Sequence, residues 1–114
     1  MLDLSIKNGS CFIDGNLKHQ DIGIKNGKII KIGKITEDAK DTYDAKDLIV
    51  LPGCIDTQTH FREPGSTDTE DLHSGSKAAI VGGITAVFEM PNTNPPTSNK
   101  KEFRRKLDLA KNRM

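Results

Sequence analysis

Residues 51–65 read Leu51-Pro52-Gly53-Cys54-Ile55-Asp56-Thr57-Gln58-Thr59-His60-Phe61-Arg62-Glu63-Pro64-Gly65. Pro-Gly pairs punctuate both ends, and the stretch between them reads as an extended segment with polar residues at alternate positions. Gln58, His60 and Arg62 are spaced by two, so a strand presents all three on one face and Thr57, Thr59 and Phe61 on the other. Three polar side chains, one of them an imidazole, are costly to bury unless they line a site. Pro64-Gly65 puts them near the strand's C-terminal end, where parallel α/β barrels carry their active sites.

Downstream, Thr67 with Glu70 has the spacing of a capping box and predicts a helix starting near Asp68. Leu72, Ser76, Ala79 and Ile80 share its face, and Gly82-Gly83 stops it. Ile84 to Phe88 reads as a buried strand ending at Glu89-Met90, and Pro91 to Ser98 as a Pro/Asn-rich loop. Ser98 is the expected cap of a last helix, with Phe103, Leu107 and Ala110 stacked. Strand, helix, strand, helix implies parallel strands joined by crossover helices. Two strands and two helices cover such a sheet poorly, so residues 52–114 read as a piece of a larger α/β architecture or a shortened relative of one.

Upstream, Leu48-Ile49-Val50-Leu51 is a continuous apolar run. Residues 2–35 read as a small antiparallel β unit, because Asn8-Gly9, Asp14-Gly15 and Asn26-Gly27 separate short apolar segments. Residues 36–47 are polar and read as a surface connection or edge segment whose charges only solvate that face.

Seventeen Lys and Arg against sixteen Asp and Glu leave a formal charge of +1. That balance offers no electrostatic footprint for nucleic acid or an anionic membrane. No run approaches the roughly 18 apolar residues of a membrane span, and Met1 to Ser5 does not have the form of a secretory signal. Cys11 and Cys54, without a CxxC, fit a reduced cytoplasmic protein and read as small apolar fillers. Lys100, Lys101, Arg104, Arg105 and Lys106 read as a solvated helix face, and His19 and His73 as solvated. Glu63 and Asp56 read as structural carboxylates. The length is well short of the about 250 residues of a complete (β/α)8 barrel.

The stretch 51–65 resembles the "PG-x-ID-x-H-x-H-x-R-E/D-PG" signature of the amidohydrolase superfamily, and its Arg62 with Pro64-Gly65 resembles the dihydroorotase form of it. Glu70-Asp71 through Ala78-Ala79 with Gly82-Gly83-Ile84-Thr85 resembles the family's "ED-x-x-SGS-x-AA-x-x-GG-x-T" helix. Glu89 through Pro95 resembles its "MPNTNP" loop. The short strands around Lys25-Asn26-Gly27-Lys28-Ile29 are similar to the family's β-sandwich opening. The resemblance implies an α/β fold: residues 1–50 as part of a small composite β-sandwich, and residues 51–114 as the first two βα units of an incomplete (β/α)8 barrel.

It also implies a cytoplasmic zinc hydrolase of de novo pyrimidine biosynthesis that interconverts N-carbamoyl-L-aspartate and L-dihydroorotate. His60 would be a metal ligand, and Arg62 and Asn92 would bind the substrate carboxylate. The implied partners are that small-molecule substrate, with a homo-oligomer or aspartate transcarbamoylase as protein partners, and no nucleic acid or membrane. The family usually has a second His where this chain has Gln58, whose carbonyl oxygen is a much poorer zinc ligand. Two outcomes follow: a site with fewer metals or a replacement ligand, or a non-catalytic relative that keeps a pocket or an assembly role. The family's remaining metal ligands and its catalytic Asp come from later strands, so this chain alone is expected to be inactive. Hydantoinase and allantoinase are the alternative enzyme readings.

Overall fold

In the computed structural model, which describes residues 1–114, the chain divides into two compact units, Met1–Pro52 and Gly53–Met114. The first unit contains β1 (Leu2–Lys7), β2 (Ser10–Ile13), β3 (Asn16–His19), β4 (Asp21–Lys25), β5 (Lys28–Gly33), β6 (Ala39–Asp44) and β7 (Ile49–Val50). They form two sheets, one ordered β5-β4-β1-β6 and the other β3-β2-β7. The turns joining β2 to β3 and β4 to β5 are the tight hairpins that the sequence predicts. Asp14 and Gly15, and Asn26 and Gly27, all have positive φ, as a two-residue turn with matching twist requires.

Asn8-Gly9 does something else. β1 pairs with β4 and β6, and β2 with β3 and β7, so this dipeptide carries the chain from one sheet to the other instead of closing a hairpin. Gly9 is buried, and a Cβ there would stand 2.6 Å from Val50 Cγ2 and 3.1 Å from Ala45 Cβ. Its glycine therefore serves a close approach of side chains. The unit is also not purely antiparallel, since β1–β6 and β2–β7 are parallel pairs. Residues 36–47 supply the edge strand β6, and their charges do more than solvate it. Lys40 Nζ lies 2.9 Å from Asp3 Oδ1, and Asn8 Nδ2 donates to Asp44 Oδ1 at 2.8 Å. Leu2, Cys11, Ile22, Ile35 and Ala45 form the small core. Apolar side chains of both sheets, among them Cys11, Ile22, Ile32 and Val50, line a cleft of about 230 Å³.

The second unit contains β8 (Cys54–Thr59), α1 (Leu72–Val81), β9 (Ile84–Glu89) and α2 (Lys100–Ala110). β8 and β9 pair in parallel, as a crossover through α1 demands. The pair is less covered than the sequence predicts: Ile55 and Phe88 are well exposed, and so is Cys54. Cys54 is thus no core filler, whereas Cys11 is.

Both helix starts lie later than the sequence predicts. Asp71, not Thr67, caps α1: its Oδ1 accepts from Ser74 N at 2.7 Å, and Ser74 Oγ is 3.1 Å from Asp71 N, a reciprocal capping box. Thr67 is instead held in a turn, where the amides of Thr69 and Glu70 both donate to Ser66 O. Asn99, not Ser98, caps α2, its Oδ1 accepting from Glu102 N at 3.0 Å. No helix is long and apolar enough to cross a membrane.

Candidate functional site

The site is built where β8 ends. The ladder with β9 pairs Asp56 with Val87 and Thr59 with Glu89, three steps along one strand against two along the other. The irregularity falls at Thr57 and Gln58, and both side chains are exposed. Thr57 therefore does not share the inward face of Thr59 and Phe61 as strict alternation predicts. Asp56 stabilises the irregularity, its Oδ1 accepting from Gln58 N at 2.9 Å. That contact is the structural role expected of this carboxylate.

Beyond Thr59 the alternation resumes. Phe61 and Glu63 are buried, while His60 and Arg62 are exposed between them. Phe61 packs against Gly75 of α1, where a Cβ would come within 2.7 Å of the ring. Glu63 is 7% exposed, accepts from Leu72 N at 2.9 Å, and receives a two-pronged contact from Arg113 at 2.9 and 3.0 Å. A carboxylate at the first amide of α1 is favourably placed against the helix dipole. The Arg113 fork holds the Glu63 carboxyl below the usual carboxylate range, against the opposing effect of burial. Asp71 is likewise lowered, chiefly by the backbone and side-chain hydrogen bonds of Ser74. The residue beside Arg62 thus ties the site-bearing turn both to the start of α1 and to the chain just after α2.

The second loop is tied to the first by its backbone. Met90 N donates to Thr59 O at 2.8 Å, and Asn94 N donates to Pro64 O at 2.9 Å. Gly65, at φ +123°, lies so close to Asn94 that a Cβ there would be 2.8 Å from Asn94 Cβ and 3.0 Å from its carbonyl oxygen. These contacts bring Asn92 to His60: Asn92 Oδ1 and His60 Nδ1 are 3.0 Å apart. Arg62, two residues along, forms no ion pair. Of the four positions singled out in the sequence, His60 and Asn92 meet directly, while Gln58 and Arg62 are exposed two residues before and after His60 and form no hydrogen bond with either.

Sequence reasoning missed two ion pairs that each have a buried partner. One is Glu63–Arg113. The other is Lys106 Nζ to Glu89 Oε2 at 2.6 Å, at the end of β9. Lys106 is 9% exposed, so it does not belong to the solvated cationic face with its sequence neighbours. Its signal was its place on the stripe of Phe103, Leu107 and Ala110, which lines a cavity of about 450 Å³ that Lys106 and Glu89 also line. His73 is exposed but not merely solvated, because its Nδ1 is 2.8 Å from Arg113 O.

The donor set bears on the expected metal. With Asn92 Oδ1 accepting from Nδ1–H, His60 keeps the Nε2 lone pair, the form in which imidazole ligates a metal. His60 therefore fits such a role and Gln58 does not. No three His, Cys, Asp or Glu side chains of the chain are gathered as a metal centre.

The profile of the Amidohydrolase family matches residues 49–112. A dihydroorotase from Methanothermobacter thermautotrophicus is 43% identical over 110 residues, covering 96% of this chain and 25% of that protein. An allantoinase from Escherichia coli is 42% identical over 113 residues, covering 98% of this chain and 25% of the relative. Among solved structures, the L-hydantoinase (dihydropyrimidinase) from Arthrobacter aurescens superposes with a TM-score of 0.88 at 32% identity, over 96% of this chain and 25% of that one. The chain thus spans about a quarter of the length of the relatives it matches. A β-rich unit followed by a parallel strand-helix-strand-helix unit agrees with part of an amidohydrolase barrel. With the profile covering more than half of the residues, Gln58, His60, Arg62 and Asn92 among them, the chain belongs to the amidohydrolase family.

Proposed function

We propose that this chain carries part of a dihydroorotase-like hydrolase, which opens and closes the cyclic amide relating L-dihydroorotate to N-carbamoyl-L-aspartate in pyrimidine biosynthesis. The observation that carries the reading is the convergence of His60 and Asn92, 3.0 Å apart, beside an Arg62 that has no ion-pair partner. The high identity to dihydroorotases supports it, and the similar identity to allantoinases makes the substrate the question to test.

In this reading His60 contributes one ligand to a zinc ion through Nε2. A bound metal of this kind supplies Lewis acidity towards the ring carbonyl and the attacking water. Gln58 contributes at most a weak oxygen ligand. Arg62 offers a planar fork of donors, and Asn92, its oxygen engaged by His60, offers its Nδ2 donors. A cationic fork beside a neutral amide donor suits a carboxylate on the substrate ring. Dihydroorotate carries one, and neither hydantoin nor allantoin does. Catalytic zinc takes three protein ligands as a rule, so these 114 residues alone are expected to bind the substrate anion and not to turn it over. The reading implies a cytoplasmic protein working as a homo-oligomer or beside aspartate transcarbamoylase. Gln58 favours a second reading, a non-catalytic dihydroorotase-like partner in such an assembly.

Titrating the chain with L-dihydroorotate, hydantoin and allantoin, followed by backbone NMR, tests the substrate class. L-Dihydroorotate is expected to perturb Arg62 and Asn92, with Arg62→Ala weakening binding by about tenfold or more. Equal binding of either uncharged ring, or an unaffected Arg62→Ala variant, overturns the assignment. Ring closure with added zinc above the Arg62→Ala background overturns the expected inactivity.

A further inference from the structure

The contact between His60 Nδ1 and Asn92 Oδ1 is a cross-loop hydrogen bond between residues 32 apart in sequence. We infer that Asn92 is a positioning residue for His60: it fixes the imidazole as the Nδ1–H tautomer and so leaves the Nε2 lone pair as the ring's only free acceptor. The inference deepens the proposed function, because it rests on His60 being a metal ligand there, but its geometry stands without metal or substrate.

Several features make this bond more than an exposed encounter. An amide oxygen accepts and cannot donate, so the pairing selects one ring nitrogen for the proton. The two backbones that carry the partners are fixed independently of the side chains. Met90 N–Thr59 O and Asn94 N–Pro64 O bracket the pair, and Gly65 approaches Asn94 so closely that a Cβ there would clash. The turn following His60 is anchored a third time by the buried Glu63 carboxylate, held by Arg113 and Leu72 N. The bond also works in the other direction. With Oδ1 turned to the imidazole, the Asn92 amide presents only its Nδ2 hydrogens, which make no hydrogen bond within the chain. One contact therefore sets a lone-pair donor for a cation on one side and an N–H donor for an anion on the other. Metal-binding imidazoles are commonly oriented in this way by an acceptor on the second ring nitrogen.

The chain contains its own references. His73 Nδ1 faces the Arg113 carbonyl at 2.8 Å, an acceptor that also requires Nδ1–H, and no hydrogen bond involves the His19 ring. Long-range nitrogen–proton NMR correlations of the neutral imidazoles, recorded on the complete chain at alkaline pH, read each tautomer directly. His60 is expected to show the pattern of His73, with a pyrrole-type Nδ1 and a pyridine-type Nε2. Asn92→Ala is expected to move His60 to the mixed pattern of His19 while His73 stays unchanged and reports that the fold is intact. Asn92→Asp, which keeps an acceptor at the same place, is expected to retain the Nδ1–H form. A His60 that resembles His19 in the unsubstituted chain, or that is indifferent to Asn92→Ala, overturns the inference, and so does loss of the Nδ1–H form in Asn92→Asp. The readout uses neither metal nor substrate. Failure of L-dihydroorotate to bind would overturn the proposed function and leave the tautomer result standing.

Discussion

The two units bury different kinds of residue. Met1–Pro52 closes on aliphatic and small side chains, with Ser5 the one buried polar residue, and its ions lie on the surface. Gly53–Met114 buries two large apolar side chains, Phe61 and Leu72, together with the charged Glu63 and Lys106. In the first unit two sheets and two tight hairpins satisfy most of the backbone, and the charged side chains that hold loop amides, such as Asp3 and Asp21, are not buried. In the second, ion pairs stand at the ends of the strands, where the sequence has to hold irregular turns in fixed positions. Apolar contact alone does not specify such positions, because it is non-directional. A forked guanidinium-carboxylate contact does specify them. The comparison teaches that charge is buried here where orientation matters more than area.

The sharpest way to break that comparison is to remove Arg113. Its loss leaves the Glu63 carboxylate buried with only Leu72 N as donor. Removing one partner of a buried pair is strongly destabilising, and the partial exposure of Arg113 moderates the loss, so Arg113→Ala is expected to lower the urea unfolding midpoint clearly while the chain still folds. The acid limb adds a second reading. Glu63 has a folded pKa below its ordinary value of 4.5, mainly through Arg113. Its contribution is therefore complete above that value and is lost as the pH falls from there through the lowered folded value. Arg113→Ala is expected to flatten this loss. A variant as stable as the original chain, with an unchanged acid limb, would mean that the turn is held without its ion pair.

Much of this contrast was visible in the sequence, and what was not has physical reasons. The paired Pro-Gly dipeptides, the alternation at His60 and Arg62 and the parallel order of strands are all local or short-range patterns, and the structure contains them. The helix starts shifted because several residues competed for each cap. Asp71 with Ser74 makes both capping hydrogen bonds, and Thr67 lost to it because Pro64 to Ser66 had already committed the chain to a turn. The crossing at Asn8-Gly9 was illegible because the same dipeptide serves a hairpin or a close approach, and only Val50 and Ala45, far along the chain, decide which. The Glu63–Arg113 pair was hidden for the same reason, its partners being 50 residues apart. Within the site, Asn92 could be named from the loop it occupies, but its meeting with His60 depends on the register of two strands.

A smaller effect sharpens the comparison at the turn itself. Gly65→Ala places a methyl group against Asn94 at a positive φ. Strain of this kind costs about 1–3 kcal/mol, and about 2 kcal/mol is expected here. Because the clash lies between the two site-bearing turns, the chemical-shift changes should concentrate at Asn92 to Asn94 and His60. Changes confined to residues 64–66 would show that the loops are independent of each other.

The smallest expected effect comes from the first unit and supplies the control. Lys40 and Asp3 form a close contact at 2.9 Å, yet Lys40 has 61% of its side chain exposed. Water screens such a pair, and holding a long side chain in one geometry offsets most of the Coulombic gain. Lys40→Ala is therefore expected to leave the urea unfolding midpoint almost unchanged. The same removal of one cation from a carboxylate should thus differ several-fold between Lys40 and Arg113, although the two contacts are equally short. Equal losses in the two variants would show that distance, and not burial, sets the strength of these pairs. The division between a unit built on sheets and one built on buried charge would then fall.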